Sequence, residues 1–301
     1  MPTRYLTMKP FVLSILLALI VPAQAQEPGE NRPGDPDLRI LAYNVWYGFT
    51  KVPDRKPLWL DWMKAQEADV VFLQELNEYT PQMLADDAAV WGHAHTVLLK
   101  EEGFPTGITS ATPIEDIQRT LEGFHHGLIR AKIAGLYLYC IHLHPSNWEV
   151  RNREIRLILE DIRGLPEDAG VVLAGDFNTF SPYDRAFYSH GLLEPFFEML
   201  DDRDNARNLR DGKLDYSVLQ TLMDAGFTDL EAHMRGADYQ FTGSFPTRIE
   251  KAGEHGALRR LDYVFTNSWL TQRVRRASII ADETTQILSD HLPVIVDFDR
   301  E

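Results

Sequence analysis

Short runs of β-branched and aliphatic residues punctuate the chain from residue 37 onward and read as strands at 38–43, 69–73, 95–99, 106–110, 127–133, 136–141, 171–175, 262–266 and 292–298. Between them the period changes. Leu58, Trp62 and Ala65 recur at helical spacing behind Pro57, a residue suited to the first turn of a helix. Val150, Ile155, Ile158, Leu159 and Ile162 share one face of a helix over 148–162, with Arg151, Arg153 and Arg156 expected on its solvated side, or one of them near the helix start reaching toward an anion. Further helices are expected at 81–89 and 216–225, and the whole of 183–233 reads as helical and acidic. Ala134-Gly135 separates two strand-like runs as a hairpin turn. With no break in composition after residue 37, residues 37–301 are expected to form one domain.

The first 25 residues follow another pattern. Arg4 and Lys9 precede an apolar stretch from Phe11 to Val21, and Ala23-Gln24-Ala25 offers a small-x-small cleavage site, as in a secretory signal peptide. The stretch is shorter than the ~20 residues that span a bilayer. The expectation is therefore cleavage, no stable membrane insertion afterwards, and an exported protein, periplasmic or extracellular. Residues 26–36 carry Pro, Gly and acidic groups with nothing apolar to bury, and are expected to be a disordered leader.

Charge narrows the partners. A formal net charge of −15 argues against binding nucleic acid through a broad basic face and leaves room only for a local basic pocket. Cys140, the single cysteine, lies in an apolar run and is expected to be a buried structural thiol.

Candidate chemistry sits where the apolar runs stop. Asn44, Glu75, His142, Asp176 with Asn178, Asp262, and Asp290 with His291 all flank strands, and strand ends can converge on one rim of a sheet. Gly175 lets the backbone turn so that Asp176 and Asn178 stand at a strand's edge. Hard oxygen donors with histidines suit Mg2+ or Mn2+ and phosphoester hydrolysis. No Cys-x-x-Cys pair offers a structural zinc site. The structural alternatives are turn capping by Asn44 or by Asp176 and Asn178, and an ion pair between Asp262 and Arg260. His144 is expected to be structural, and His125 and His126 to lie on a solvated loop.

In chain order, Leu41-Ala-Tyr-Asn44-Val, Val71-Phe-Leu-Gln-Glu75, Ile141-His142-Leu, Gly175-Asp-Phe-Asn178, Arg260-Leu-Asp262-Tyr-Val-Phe265 and Ser289-Asp-His-Leu-Pro-Val294 resemble the motifs of the endonuclease/exonuclease/phosphatase superfamily, the deoxyribonuclease I-like fold. The resemblance covers about residues 37 to 298. It implies a four-layer α/β sandwich, two mixed β-sheets packed face to face with helices outside. It also implies that Asn44 and Glu75 hold the metal, with Asp290 as a further ligand or supporting group. Asp176 would act as general base or orient the water, and Asn178 would hold the phosphate or that water. His291 would face the scissile phosphate with Asp262 fixing its tautomer, and His142 would stabilise charge on the phosphoryl oxygens. Gln74 would be a supporting hydrogen-bonder.

The chain departs from the pattern in three places. Ala111 follows Ser110 where relatives often carry an arginine or lysine, and either Glu101 or Glu102 could be the acid that supports His142. Residues 193–216 are an acidic excursion in which Arg203, Arg207 and Arg210 form a lid or a solvated surface. The expected function is that of an exported, monomeric, Mg2+- or Mn2+-dependent hydrolase of a small-molecule or lipid-headgroup phosphoester. A secreted nuclease is the alternative, with nucleic acid the less favoured substrate, and a non-catalytic binding module ranks last.

Overall fold

In chain order the strands are β1 (Leu38–Asn44), β2 (Val70–Gln74), β3 (His95–Leu98), β4 (Gly107–Ser110), β5 (Glu115–Thr120), β6 (Leu128–Ile133), β7 (Leu136–His142), β8 (Val171–Asp176), β9 (Leu209–Arg210), β10 (Lys213–Leu214), β11 (Phe227–Asp229), β12 (Asp262–Asn267), β13 (Val274–Ile279) and β14 (Val294–Phe298). The helices that matter here are α1 (Lys56–Ala65), α2 (Pro81–Val90), α3 (Trp148–Arg163), α4 (Arg185–Tyr188), α5 (Glu194–Asp204) and α6 (Ser217–Asp224). These come from a computed structural model that describes residues 37–299 apart from 205, 238 and 250–253. The expected signal peptide (1–25) and leader (26–36) lie outside the described residues.

Two six-stranded sheets, ordered β13-β14-β1-β2-β4-β3 and β11-β12-β8-β7-β6-β5, form the centre, with β9 and β10 as a separate hairpin. Both sheets are mixed. The pairs β1–β2 and β7–β8 run parallel, and the other neighbours are antiparallel.

The two-residue period of a strand explains the layering. Ile40 and Ala42 of β1 point inward to meet Leu138 and Cys140 of β7 and Val172 and Ala174 of β8, which forms the core between the sheets. Their neighbours Leu41 and Tyr43 point outward under Trp59, Trp62 and Met63 of α1 and Leu84 of α2. Leu173 and Tyr139 point outward under Ile155, Ile158 and Leu159 of α3 and Val218, Leu219 and Leu222 of α6. Helix, sheet, sheet and helix give the four layers. Burying each of these large side chains stabilises the fold by about 1.5–3 kcal/mol, which is why strands apolar on both faces read so plainly.

Local signals place the helix starts. Thr80 caps α2 by accepting from the Met83 N–H at 3.2 Å, ahead of Pro81. Asn147 caps α3 by accepting from Glu149 and Val150.

Three expectations change. Strands β5 and β13 were not expected; each lies at a sheet edge, where one neighbour and little burial suffice, and every residue of β5 is exposed. The span 183–233 is not continuously helical, because the β9–β10 hairpin and β11 interrupt α4, α5 and α6. Arg151 is not on a solvated helix face: at 1% exposure it turns back and donates to the carbonyls of His144 and Pro145. Arg153 and Arg156 are exposed as expected, and Cys140 is a buried free thiol. Among the described residues no helix is long and apolar enough to cross a membrane.

Candidate active site

Strand β8 is interior to its sheet, and its last residue, Asp176, pairs in register with His142 at the end of β7 and Asp262 at the start of β12. In the other sheet Asn44 ends β1 beside Gln74, and Glu75 follows directly. Stacking the sheets brings these ends together. The Asn44 Nδ2 donates to Glu75 Oε1 and to Asp176 Oδ2, at 3.2 Å each, so one amide ties the two sheets at the rim. Its Oδ1 accepts the Trp46 N–H at 3.1 Å, and the Tyr47 N–H donates to Glu75 Oε2 at 3.0 Å.

The turn after β8 depends on Gly175, whose φ of 137° favours glycine and whose missing Cβ leaves room for the Ile141 carbonyl and the Gln74 amide. Beyond it, the Asn178 N–H donates to Asp176 Oδ1 at 2.8 Å and the Asn178 side chain donates to the Leu143 carbonyl at 3.1 Å. Glu75 and Asn178 both hold positive φ, at 59° and 50°. Such conformations cost about 1–3 kcal/mol each in non-glycine residues, and with Trp46 and Tyr47, at φ 48° and 54°, four residues of one cleft hold them.

The loop before β14 supplies the last pair. Ser289 Oγ donates to the Asn44 carbonyl at 2.7 Å, and the His291 N–H donates to Ser289 Oγ at 3.2 Å. His291 Nδ1 stands 2.8 Å from Asp262 Oδ2, while its Nε2 and that of His142 lie 3.9 and 3.7 Å from Asp176 Oδ2. The open cleft of about 360 Å³ is lined by Glu75, His142, Asp176, Asn178, Asp290 and His291. Asn44 and Asp262 stand behind these six.

Burial pushes the Asp176 carboxyl up to about 7, against the pull of His291. Burial opposes charge on His291, but Asp262 and then Asp176 outweigh it and lift the imidazole to about 10. His142 is driven the other way, far below the usual imidazole value, by burial and then by His126. One rim thus carries a charged and a neutral histidine.

Several sequence expectations are corrected here. His126 is not on a solvated loop; at 5% exposure it stacks on His142 with ring centroids 3.9 Å apart, and burial lowers it to about 3. His125 is exposed, and stands beside His144 at 4.1 Å. Neither Glu101 nor Glu102 supports His142: both are exposed on a neighbouring groove, and the His142 Nδ1 has no hydrogen-bond partner. Asp262 is not the partner of Arg260, which binds Asp184, Asp229 and Glu231 instead. Among the described residues, none of 193–216 lines the cleft. Arg207 pairs with Glu149, and Arg210 lies over the Trp148 ring.

Phe245, Arg259 and Leu261 also line the cleft and were not anticipated. The available signal was the Arg259-Arg260 step into β12, where neighbouring side chains point to opposite sides.

The donors fit a divalent cation. Glu75, Asp176 and Asp290 present carboxylates to one cleft, and one amide draws two of them together. Asp176, Asp262 and His291 also bring one ligand atom each within 4.8 Å of the others.

The model of the Endonuclease/Exonuclease/phosphatase family matches residues 41–291. The chain belongs to this family. As a family member it is a hydrolase acting on phosphoester bonds, and its two mixed sheets with flanking helices are the deoxyribonuclease I-like sandwich. Among solved structures it is similar to an AP endonuclease from Archaeoglobus fulgidus, at 20% identity and TM-score 0.62 over 87% of this chain and 99% of that one. It is likewise similar to the 3′ phosphatase NExo from Neisseria bound to a product DNA hairpin, at 18% identity and TM-score 0.63 over 87% and 99%. A third is the 3′-5′ exonuclease NExo from Neisseria meningitidis, at 17% identity and TM-score 0.62 over 87% and 100%. At these identities the likeness is one of fold. No curated protein matches the chain.

Proposed function

We propose that this family member is an exported, monomeric, divalent-metal-dependent hydrolase of a small-molecule or lipid-headgroup phosphoester. The observation that carries the reading is the single amide of Asn44 joining Glu75 to Asp176, with Asp176 also facing His291. Asn44, Glu75 and Asp290 would hold Mg2+ or Mn2+, the Asn44 oxygen keeping a second lone pair beside the one that accepts the Trp46 N–H while its amide nitrogen holds Glu75 in place. The Asp176–Asp262–His291 group reads as a proton-holding network, since the Asp262–His291 contact has hydrogen-bond length and Asp262 stands behind the cleft. The cation would polarise the phosphoryl group and offset charge developing on its oxygens.

The protein's own groups account for the rest. Asp176 orients the attacking water and accepts its proton, held at a raised affinity by burial. His291, kept protonated by Asp262, donates to the phosphoryl or leaving oxygen. Neutral His142 offers a hydrogen bond rather than a charge, and Asn178 is fixed beside Asp176 to hold phosphate or water. The aromatic walls Trp46, Tyr47, Phe104 and Phe245 suit a compact substrate.

The test is hydrolysis of bis-p-nitrophenyl phosphate by the chain lacking residues 1–25. Activity is expected with Mg2+ or Mn2+ and none with EDTA; wild-type rates in Asp176→Ala or His291→Ala would refute the site. Export is tested by fractionating cells that express the full chain, with retention in the cytoplasm counting against it.

One observation favours a nuclease as the second reading. Arg153 and Arg156 are exposed on α3 without a carboxylate partner among the described residues, over grooves that reach the cleft's own His125. Such a strip suits strand phosphates. A salt titration of DNA binding separates the readings: no binding at low salt removes the nuclease.

A further inference from the structure

The geometry points to Arg259 as a second anion site beside the catalytic rim, one that takes a further phosphate group carried by the substrate. This rests on phosphoester hydrolysis in the same cleft. Arg259 lines that cleft with Asp176 and His291, yet it is 5% exposed. Its backbone is pinned to Phe245 by reciprocal hydrogen bonds, the Arg259 N–H to the Phe245 carbonyl at 2.8 Å and the Phe245 N–H to the Arg259 carbonyl at 3.0 Å. Its guanidinium sits within an aromatic clasp, 4.5 Å from the Phe245 centroid, 5.3 Å from that of Phe197 and 5.6 Å from that of Phe196.

The side chain's hydrogen bonds are incomplete. Nη1 donates to the carbonyls of His255 and Ala257, at 2.6 and 3.0 Å, while Nε has no partner. Among the described residues no carboxylate pairs with it. A buried guanidinium bonded only to carbonyls and ring faces, with Asp176 and Asp290 acting on it across space without a hydrogen bond, retains an attraction for an anion, because no directly paired counter-charge offsets its desolvation. Burial lowers its proton affinity only to about 10, so the group stays cationic at neutral pH. This chain is strongly acidic overall, which makes a buried, unpaired cation beside the reaction centre a local exception.

Spacing identifies the ligand. Phe245 has Arg259 on one side and His291 on another, its ring centroid 4.7 Å from that of His291. The scissile phosphate faces His291, so an anion at Arg259 belongs to a neighbouring group of the same substrate, one phenyl ring away. A guanidinium fork matches phosphate oxygens in charge and geometry. The substrate class is therefore an organic bisphosphate, with one phosphoester cleaved and a second phosphate gripped.

The experiment compares p-nitrophenyl thymidine 5′-phosphate with the same ester carrying a 3′-phosphate. Wild type is expected to favour the 3′-phosphorylated ester about tenfold in kcat/KM, mostly through KM. Arg259→Met should bring that ratio to about one, and Arg259→Lys, which keeps the charge but loses the fork, should preserve only part of it. In parallel, calorimetric titration of the metal-free protein with thymidine 3′,5′-bisphosphate and with thymidine 5′-phosphate reads the site without turnover. Tighter bisphosphate binding that Arg259→Met abolishes supports the site even if neither ester is hydrolysed, an outcome that would sink the phosphoesterase reading alone. A wild type that binds both nucleotides equally overturns the inference, however the variants fold, as does a folded Arg259→Met that keeps the preference.

Discussion

Arg259 and Arg260 are neighbours in sequence and opposites in circumstance. Arg260 points away from the cleft into a sealed ionic knot, where Nε donates to Asp184 at 2.8 Å, Nη1 to Asp229 at 2.8 Å and Nη2 to Asp229 at 2.5 Å. Glu231 adds a contact at 2.8 Å, and Arg235 shares Asp184 and Glu231. There each charge meets its counter-charge within the protein. The cleft is built the other way: Asp176 and His291 are set close but not in contact, His142 Nδ1 and Arg259 Nε lack partners, and Glu75, Asp176 and Asp290 line the cleft held by neutral donors such as the Asn44 amide and Ser289 hydroxyl. Equal burial with unequal satisfaction is the difference between a staple and a site, since unsatisfied polar groups persist at a cost of about 1–3 kcal/mol each, and His142 Nδ1 and Arg259 Nε are two of them on one cleft.

The contrast can be attacked from both ends. The largest effect on stability is expected from Arg260→Met, which strands Asp184, Asp229 and Glu231 together; a loss of about 3–5 kcal/mol should appear as a lower urea midpoint, with activity per folded molecule little changed. Asp176→Asn should do the reverse, lowering kcat by about 10²–10³-fold while leaving the urea midpoint at or above wild type, because a carboxylate disfavoured first by burial and then by Asp262 and Glu75, against the pull of His291, is replaced by a neutral amide. If both variants lose stability alike, the comparison fails. Asp262→Asn is a subtler probe. It removes the strongest influence raising His291, so the alkaline limb of the kcat/KM profile, set near pH 10 in the wild type, should move toward neutral pH.

The smallest effect concerns His126. Its folded-state affinity is depressed to about 3 by burial and then by His125, so the unfolded chain binds the extra proton below about pH 6.5. The stability it supports is complete above that pH and declines as pH falls toward 3. Thermal melts at pH 7 and pH 5 should differ more for wild type than for His126→Phe.

Much of this was legible in the sequence because the chemistry sits at strand ends and the strands announce themselves. Val171–Asp176 is apolar until its last residue, and register with His142 and Asp262 follows from the sheet. Edge strands such as Glu115–Thr120 gave no such signal, being solvated on both faces. Residues whose partners lie far away were also opaque. Arg260 finds Asp229 and Asp184 at separations of 31 and 76 residues, so nothing local distinguishes its fate from that of Arg259. Arg151 and His126 misled for a related reason: each is polar in a polar neighbourhood, and only tertiary packing turned it inward.

The hydrogen bonds from Asn44 to Glu75 and to Asp176 have one further consequence. Because they bridge two sheets, the alignment of the reacting groups is a vernier reading of how one sheet sits on the other, with Cys140 and Gln74 packed at the same seam. A conservative change in the inter-sheet core, such as Cys140→Val, should therefore detune turnover at temperatures well short of melting, and catalysis becomes the earliest reporter of slippage between the layers.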